Sequence, residues 1–315
     1  MPSPQRIVSL ISSATEILFG IGAGERVVAV SHECDHPQEV QRLPKATRSL
    51  IDSARPSAEI DDQVLKLSGA GGALYELDAP LLRDLCPDLI VTQAQCDVCA
   101  VRYADVLDLV ESEPALRGTS VVALNPLSLN DVFEDIRRLG LATGHSEKAE
   151  AFLQSLRDRV QALDHRTQFL SAEQRPRVAC IEWIEPQMLA GNWTPSLIQL
   201  AGGQCGLAVA GRHSSYSKWQ ELLDFDPQVL ILSPCGFDLQ RSQQEAEVLR
   251  SRPGWQEISA VKHGRVSVVD GNAYLNRSGP RLVDSLEILG HLIQPGILGP
   301  PAWAADMPSR PWSSF

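Results

Sequence analysis

No run of lysine and arginine stands out along this sequence, where 28 basic residues face 39 acidic ones for a net charge of −11. That argues against a nucleic-acid or anionic-membrane partner, each of which needs a basic face. No apolar stretch reaches the roughly 18–20 residues that cross a bilayer, so membrane insertion is not expected. The opening MPSPQRIVSLISSATEILFG has no basic lead into an apolar core and cleavage site. The cysteines, at 34, 86, 96, 99, 180, 205 and 235, are odd in number. An odd count argues against a disulfide framework and for a reducing cytosol; a start lying upstream would make the location periplasmic instead. There is no G-x-S-x-G elbow, and the S-G-A-G-G run at 68–72 has no adjacent lysine. With no ordered Ser/His/Asp set and no paired-carboxylate pattern, an enzyme is not expected. No solenoid repeat or low-complexity segment interrupts the chain.

What is present is an alternation. Short runs rich in Val and Ile at 7–10, 27–31, 88–92 and 120–124 read as buried parallel strands. Between them lie helix signals. Ser13 to Glu16 reads as a capping box that opens a helix ended by Gly22 and Gly24, and Pro80 suits a first helical position. Asn130 reads as the cap of a helix over 131–141. Apolar residues from Ala149 to Leu163 then keep helical spacing within a span of 147–169. About 23 helical residues reach about 35 Å, enough to join two lobes. A second α/β set follows Pro176, with strands at 177–183, 229–233 and 265–270. Thr194 reads as the cap of one helix, with Pro195 first inside it, and 281–293 as the last helix. The fold class is therefore α/β: two Rossmann-like lobes with mainly parallel sheets, joined by one long spanning α-helix. The domains are an N-terminal lobe at 1–129, linking helices at 130–171, a C-terminal lobe at 172–293 and a tail at 294–315 expected to drape over the surface, with Trp303 and Trp312 suggesting partial docking.

Open α/β sheets place ligands beyond the carboxyl ends of their strands. Those positions hold His32, Glu33 and Cys34; Gln93, Cys96 and Cys99; Glu182 and Trp183; Cys235 and Phe237; and Tyr274, Asn276 and Arg277. Four of the seven cysteines thus fall in strand-end loops. Thiolates suit zinc, an iron–sulfur cluster or another soft metal, so Cys34, Cys96, Cys99 and Cys235 form a candidate metal set with His32, Glu33 and His36 as spare ligands. The C-D-V-C stretch equally reads as a redox pair ahead of a helix, or as two unrelated thiols in loops. Trp183, Trp193, Phe237 and Tyr274 offer flat apolar faces to a ring-bearing ligand, with ordinary core packing as the competing reading.

RIVSLISSATEILFGIGAGERVVAVSHECDHP, CPDLIVTQ, FDPQVLIL and NRSGPRLVDSLEIL together resemble the helical-backbone class of ABC-type substrate-binding proteins, the vitamin B12 and ferric-siderophore binders. HEC, CDVCAV, EWIEP, PCGFDL and DGNAYLNR resemble a cobalamin-binding subgroup. The match covers about residues 6–293. The resemblance implies a monomeric, non-enzymatic protein that clamps a corrinoid or other metal-bearing small molecule between its lobes, with an importer permease as partner. It adds Arg48 and Tyr75 to the ligand-binding residues. It also implies a docking carboxylate on each lobe. Asp78 matches the first, and Gln220, with Glu221 beside it, falls at the second. Two positions depart from the pattern, because Glu33 and Gln93 stand where the B12 binders carry aromatic rings. The loop cysteines motivate one further expectation, direct ligation of a corrinoid's cobalt by a thiolate or His32. The rival is a thiolate protein holding zinc or an iron–sulfur cluster.

Overall fold

The computed structural model describes residues 3–69, 71–94, 98, 100–304 and 309–311. Two compact units are resolved. The first takes in 1–55, 59–126 and 130–155, and the second takes in 56–58, 127–129 and 156–315.

In the first unit, β1 (Ile7–Ser9) leads into α1 (Ser12–Gly20) and β2 (Val27–Val30). A short antiparallel hairpin follows, β3 (Thr47–Ser49) on β4 (Tyr75–Leu77), with α2 (Ser57–Gly69) between its strands. Then come α3 (Ala79–Leu85), β5 (Leu89–Gln93), α4 (Tyr103–Ser112), β6 (Ser120–Leu124), α5 (Leu129–Thr143) and the first turns of α6 (Ser146–Thr167), whose residues from Leu156 onward belong to the second unit. The sheet order is β2-β1-β5-β6, and every pairing is parallel. The register sets Val8 beside Ala29 and Ile90, and this row meets Leu82, Val106 and Leu116 in one buried cluster. The chain leaves β1 in opposite directions across the sheet, to β2 on one side and β5 on the other. That is the topological switch at which such sheets bind ligands.

The second unit runs through β7 (Val178–Trp183), β8 (Met188–Leu189), α7 (Thr194–Leu200), β9 (Ser215–Tyr216), α8 (Trp219–Phe225) and β10 (Val229–Leu232). It continues with α9 (Leu239–Ala246), α10 (Ser259–Lys262), β11 (Val266–Val269), α11 (Leu282–Ile293) and β12 (Ser309–Pro311). The order is β12-β11-β10-β7-β8-β9, with a parallel centre of β11, β10 and β7 flanked by antiparallel strands. Leu230 aligns with Ala179 and Val266, and Leu232 with Ile181 and Val268. One face of the centre is therefore a continuous apolar row. Arg159 of α6 is ion-paired to Asp284 at 2.6 Å and Glu287 at 2.7 Å on α11. The six tryptophans of the chain all lie beyond residue 156.

Both units close by the same device. Arg6 donates its backbone N–H to Asp88 and its Nε to the carbonyl of Leu85, the last residue of α3. Arg177 donates its backbone N–H to Gln228 and its Nε to the carbonyls of Phe225 and Asp226, where α8 ends. Both helices terminate in a left-handed residue followed by proline: Cys86 at φ 43° and Asp226 at φ 46°. Each guanidinium thus satisfies orphaned carbonyls at the negative end of a helix dipole. Arg177→Ala is expected to cost about 1–2 kcal/mol and Arg6→Ala about 1 kcal/mol, read as lowered urea midpoints.

Several local expectations are corrected. Ser13 is not the cap of α1, which already begins at Ser12 after an extended Ile11. Thr194 lies inside α7, whose cap is Trp193, and α5 starts at Leu129, ahead of Asn130. Asp78 caps α3 through Leu81 N–H at 2.9 Å, which moves Pro80 one place further in. In the tail, Ser309–Pro311 pairs antiparallel with β11.

Candidate functional site

The first unit's rim is built on the turn after β2. Cys34 N–H closes on the Ser31 carbonyl at 3.1 Å, Ser12 Oγ donates to the Glu33 carbonyl at 2.9 Å, and Lys45 Nζ donates to the Cys34 carbonyl at 2.7 Å. His32 is anchored to β3, with both its backbone N–H and its Nδ1 meeting Thr47 Oγ1, at 3.0 and 2.7 Å. Its ring stands 5.4 Å from Tyr75 on β4, whose hydroxyl donates to the Val98 carbonyl. Glu33 is exposed and approaches His32 Nε2 to 3.2 Å. Arg48 sits on the solvent side of the hairpin, paired with Glu76 directly across the strands. Gln93 is buried at the end of β5.

Of the proposed metal set, Cys96 and Cys99 lie outside the described residues. Cys34 is buried, with Sγ 3.1 Å from Thr15 Oγ1, and burial pushes its thiol above the ordinary value. Cys235 is exposed in the second unit. Among the described residues, no three His, Cys, Asp or Glu side chains gather as a metal-holding group.

The second unit's rim draws its three loops together. At the end of β7, Trp183 lies half-buried against the buried Phe237 ring of the β10–α9 loop, with centroids 5.3 Å apart and planes tilted by 51°. The Trp183 indole N–H is buried without a partner, and Arg241 lies 3.6 Å over the Phe237 ring. Cys235 N–H donates to the Glu182 carbonyl. The loop after β11 locks onto the same segment: Gly271 N–H and Asn272 N–H both donate to the Phe237 carbonyl at 3.0 Å, and Asn276 Nδ2 donates to the Ser233 carbonyl at 2.8 Å. Arg277 is buried and donates to Asn272 Oδ1. Tyr274 stacks on Trp303 of the tail at 5.9 Å and lies under Arg281. Trp193 belongs to the core, buried with its indole N–H on the Leu275 carbonyl.

Glu182 has the most perturbed environment on this rim. Burial pushes its carboxyl up to about 7, and a 2.7 Å hydrogen bond donated by Ser214 only partly offsets this. Ser214 in turn accepts from Gly191 N–H at 2.9 Å. Thr47 and Ser214 were both absent from the sequence expectation. Each lies on or beside a very short strand that brings it to a partner 15 or 32 residues away.

A family model described as periplasmic binding protein matches residues 7–273. This chain belongs to the periplasmic binding protein family. The binding protein is 23% identical over 293 residues to an uncharacterized ABC transporter substrate-binding lipoprotein of Bacillus subtilis, covering 93% of this chain and 81% of that one. It is 23% identical over 287 residues to the vitamin B12-binding protein of Vibrio cholerae, covering 90% and 87%. Its fold is shared with a periplasmic heme-binding protein from Pseudomonas aeruginosa at a TM-score of 0.70 and 20% identity, covering 93% of this chain and 94% of that one. The expected reducing cytosol finds no support among these relatives, of which one is named a lipoprotein and one a periplasmic protein.

Proposed function

We propose that this binding protein captures a corrinoid and hands it to the permease of an ABC-type importer. The observation that carries the reading is the Trp183–Phe237 ring pair at the second unit's rim, with an indole N–H left unpartnered. An apolar face with a few unspent polar groups suits a large ring ligand bearing polar side groups. Glu182, Tyr274, Asn276 and Arg277 border the same three loops. The B12-binding relatives favour a corrinoid over other tetrapyrroles. On the permease side, Asp78 and Glu221 are the proposed docking carboxylates. Each is held at the start of a helix, Asp78 by Leu81 N–H and Glu221 by Lys218 N–H.

Titration of the full-length protein with cyanocobalamin and with hemin, followed by absorbance and calorimetry, tests this. Cobalamin is expected to bind with an affinity of about 1 μM or tighter, and Trp183→Ala to weaken it about thirty-fold, equivalent to about 2 kcal/mol. Tight hemin binding with none for cobalamin would move the ligand class to heme. Binding of neither would overturn the proposal.

A further inference from the structure

We propose that Trp303 of the C-terminal tail is a positioning residue for ligand capture, holding the Tyr274 ring in the place from which it meets the ligand. This role rests on the reading above, in which the loop after β11 borders the ligand. Every residue it involves belongs to the second unit. The loop backbone is fixed from beneath. Trp193 donates its indole N–H to the Leu275 carbonyl at 2.7 Å, and Asn276 Nδ2 donates to the Ser233 and Gly271 carbonyls at 2.8 and 3.1 Å. The Tyr274 side chain stands out from this anchored stretch and is only partly buried.

The tail supplies the ring's flank. Trp303 stacks on Tyr274 with centroids 5.9 Å apart and planes within 28°, and the Arg281 guanidinium lies 5.6 Å from the ring centre. Both contacts have the geometry in which an aromatic ring is attracted beyond simple burial. A part-buried tyrosine on a loop otherwise samples several rotamers, and ordering it at the moment of binding subtracts from affinity. A ring already stacked has less freedom left to lose.

Trp303 is itself held as a positioning group must be. It is 41% exposed, so core burial does not account for its place. Its indole N–H donates to the Glu287 carboxylate. Arg159 grips that carboxylate through Nε at 2.9 Å and Nη2 at 2.7 Å. Contacts therefore run unbroken from α6 through α11 and the tail to the ligand loop. The backbone under the indole is constrained too. Pro300 and Pro301 fix their own φ, and the Ala304 N–H closes a turn on the Pro301 carbonyl at 3.1 Å. Before that turn, Leu298 is buried and bonded to the Gln294 carbonyl at 2.8 Å. Beyond it, Ser309 pairs with Val269, the last residue of β11, from which the ligand loop springs.

The test titrates the full-length protein with cyanocobalamin by calorimetry, or with hemin where the wild type takes hemin instead. Trp303→Ala is expected to weaken binding about fivefold. Trp303→Phe keeps a ring over Tyr274 and is expected to stay within about twofold of the wild type. Tyr274→Ala is expected to weaken binding by itself. In that background Trp303→Ala should add no further loss, because the ring it positions is gone. A role in stability alone would lower the urea midpoint of Trp303→Ala and leave its affinity at the wild-type value, and that result would overturn the positioning role. So would a second, equal loss in the Tyr274→Ala background, or a Tyr274→Ala protein that binds like the wild type. Each of these leaves the reading carried by Trp183 standing. Wild-type protein that binds neither ligand would overturn both.

Discussion

Gly271→Ala is expected to destabilise the second unit by about 3 kcal/mol and to abolish ligand capture with it. The residue opens the loop after β11 and is buried there. A Cβ on it would lie 2.8 Å from the Pro234 carbonyl carbon and closer still to its oxygen. Those are backbone atoms, so no rotamer change relieves the clash, and either the β10–α9 loop or the loop carrying Tyr274 must withdraw. Withdrawal breaks the bonds from Gly271 N–H and Asn272 N–H to the Phe237 carbonyl, and the bond from Asn276 Nδ2 to the Ser233 carbonyl. The Phe237 ring then loses its seat against Trp183. Urea denaturation followed by circular dichroism should show the lowered midpoint. A variant that unfolds at the wild-type midpoint would show that the loops are not coupled through this contact.

Glu182→Gln should make the protein more stable above pH 7 while leaving it unchanged near pH 4. Burial raises the Glu182 carboxyl from an ordinary 4.5 to about 7 in the folded state. Between those values the folded protein holds a proton that the unfolded chain has released. The stability this proton contributes is therefore full below about pH 4.5, declines as pH rises, and is gone above about 7. Discounted for the partial exposure of the side chain, the swing is about 2–3 kcal/mol. Glutamine keeps an acceptor for Ser214 and has nothing to ionise. The quantity to follow is the difference in unfolding free energy between variant and wild type from pH 4 to pH 8, because other carboxylates titrate equally in both. A flat difference would remove Glu182 as the source of a pH dependence.

The strands of both parallel centres were legible because each is a short Val/Ile-rich run followed by a helix signal, as in VVAV and VLIL. The internal repeat was also written in the chain. RIVSL and RVACI each begin with the arginine that closes its unit, and CPDLIV and DPQVLI each place proline after a left-handed helix end. What escaped was short and held by tertiary pairing. The hairpin of Thr47–Ser49 and Tyr75–Leu77 has three residues per strand, too few to show an alternation. The same holds for Met188–Leu189, Ser215–Tyr216 and the strand in the tail. Missing those strands meant missing the partners they deliver. His32 stood out because it follows a strand, whereas Thr47, which meets its Nδ1, did not. Glu182 was singled out for its position, but its displaced acidity depends on burial and on Ser214. The apparent capping box at Ser13 had the right letters, yet the apolar residues of α1 are buried from Ala14 onward and tertiary packing sets where that helix begins.

The confinement of tryptophan to the half of the chain beyond residue 156 turns its emission into a one-sided reporter. Indole fluorescence follows the second unit and is blind to the first, whereas the helical circular dichroism signal sums both. Melting curves that coincide by the two probes would mean that the units unfold together. Curves that separate would give the stability of each unit from one sample, with no label and no dissection of the chain.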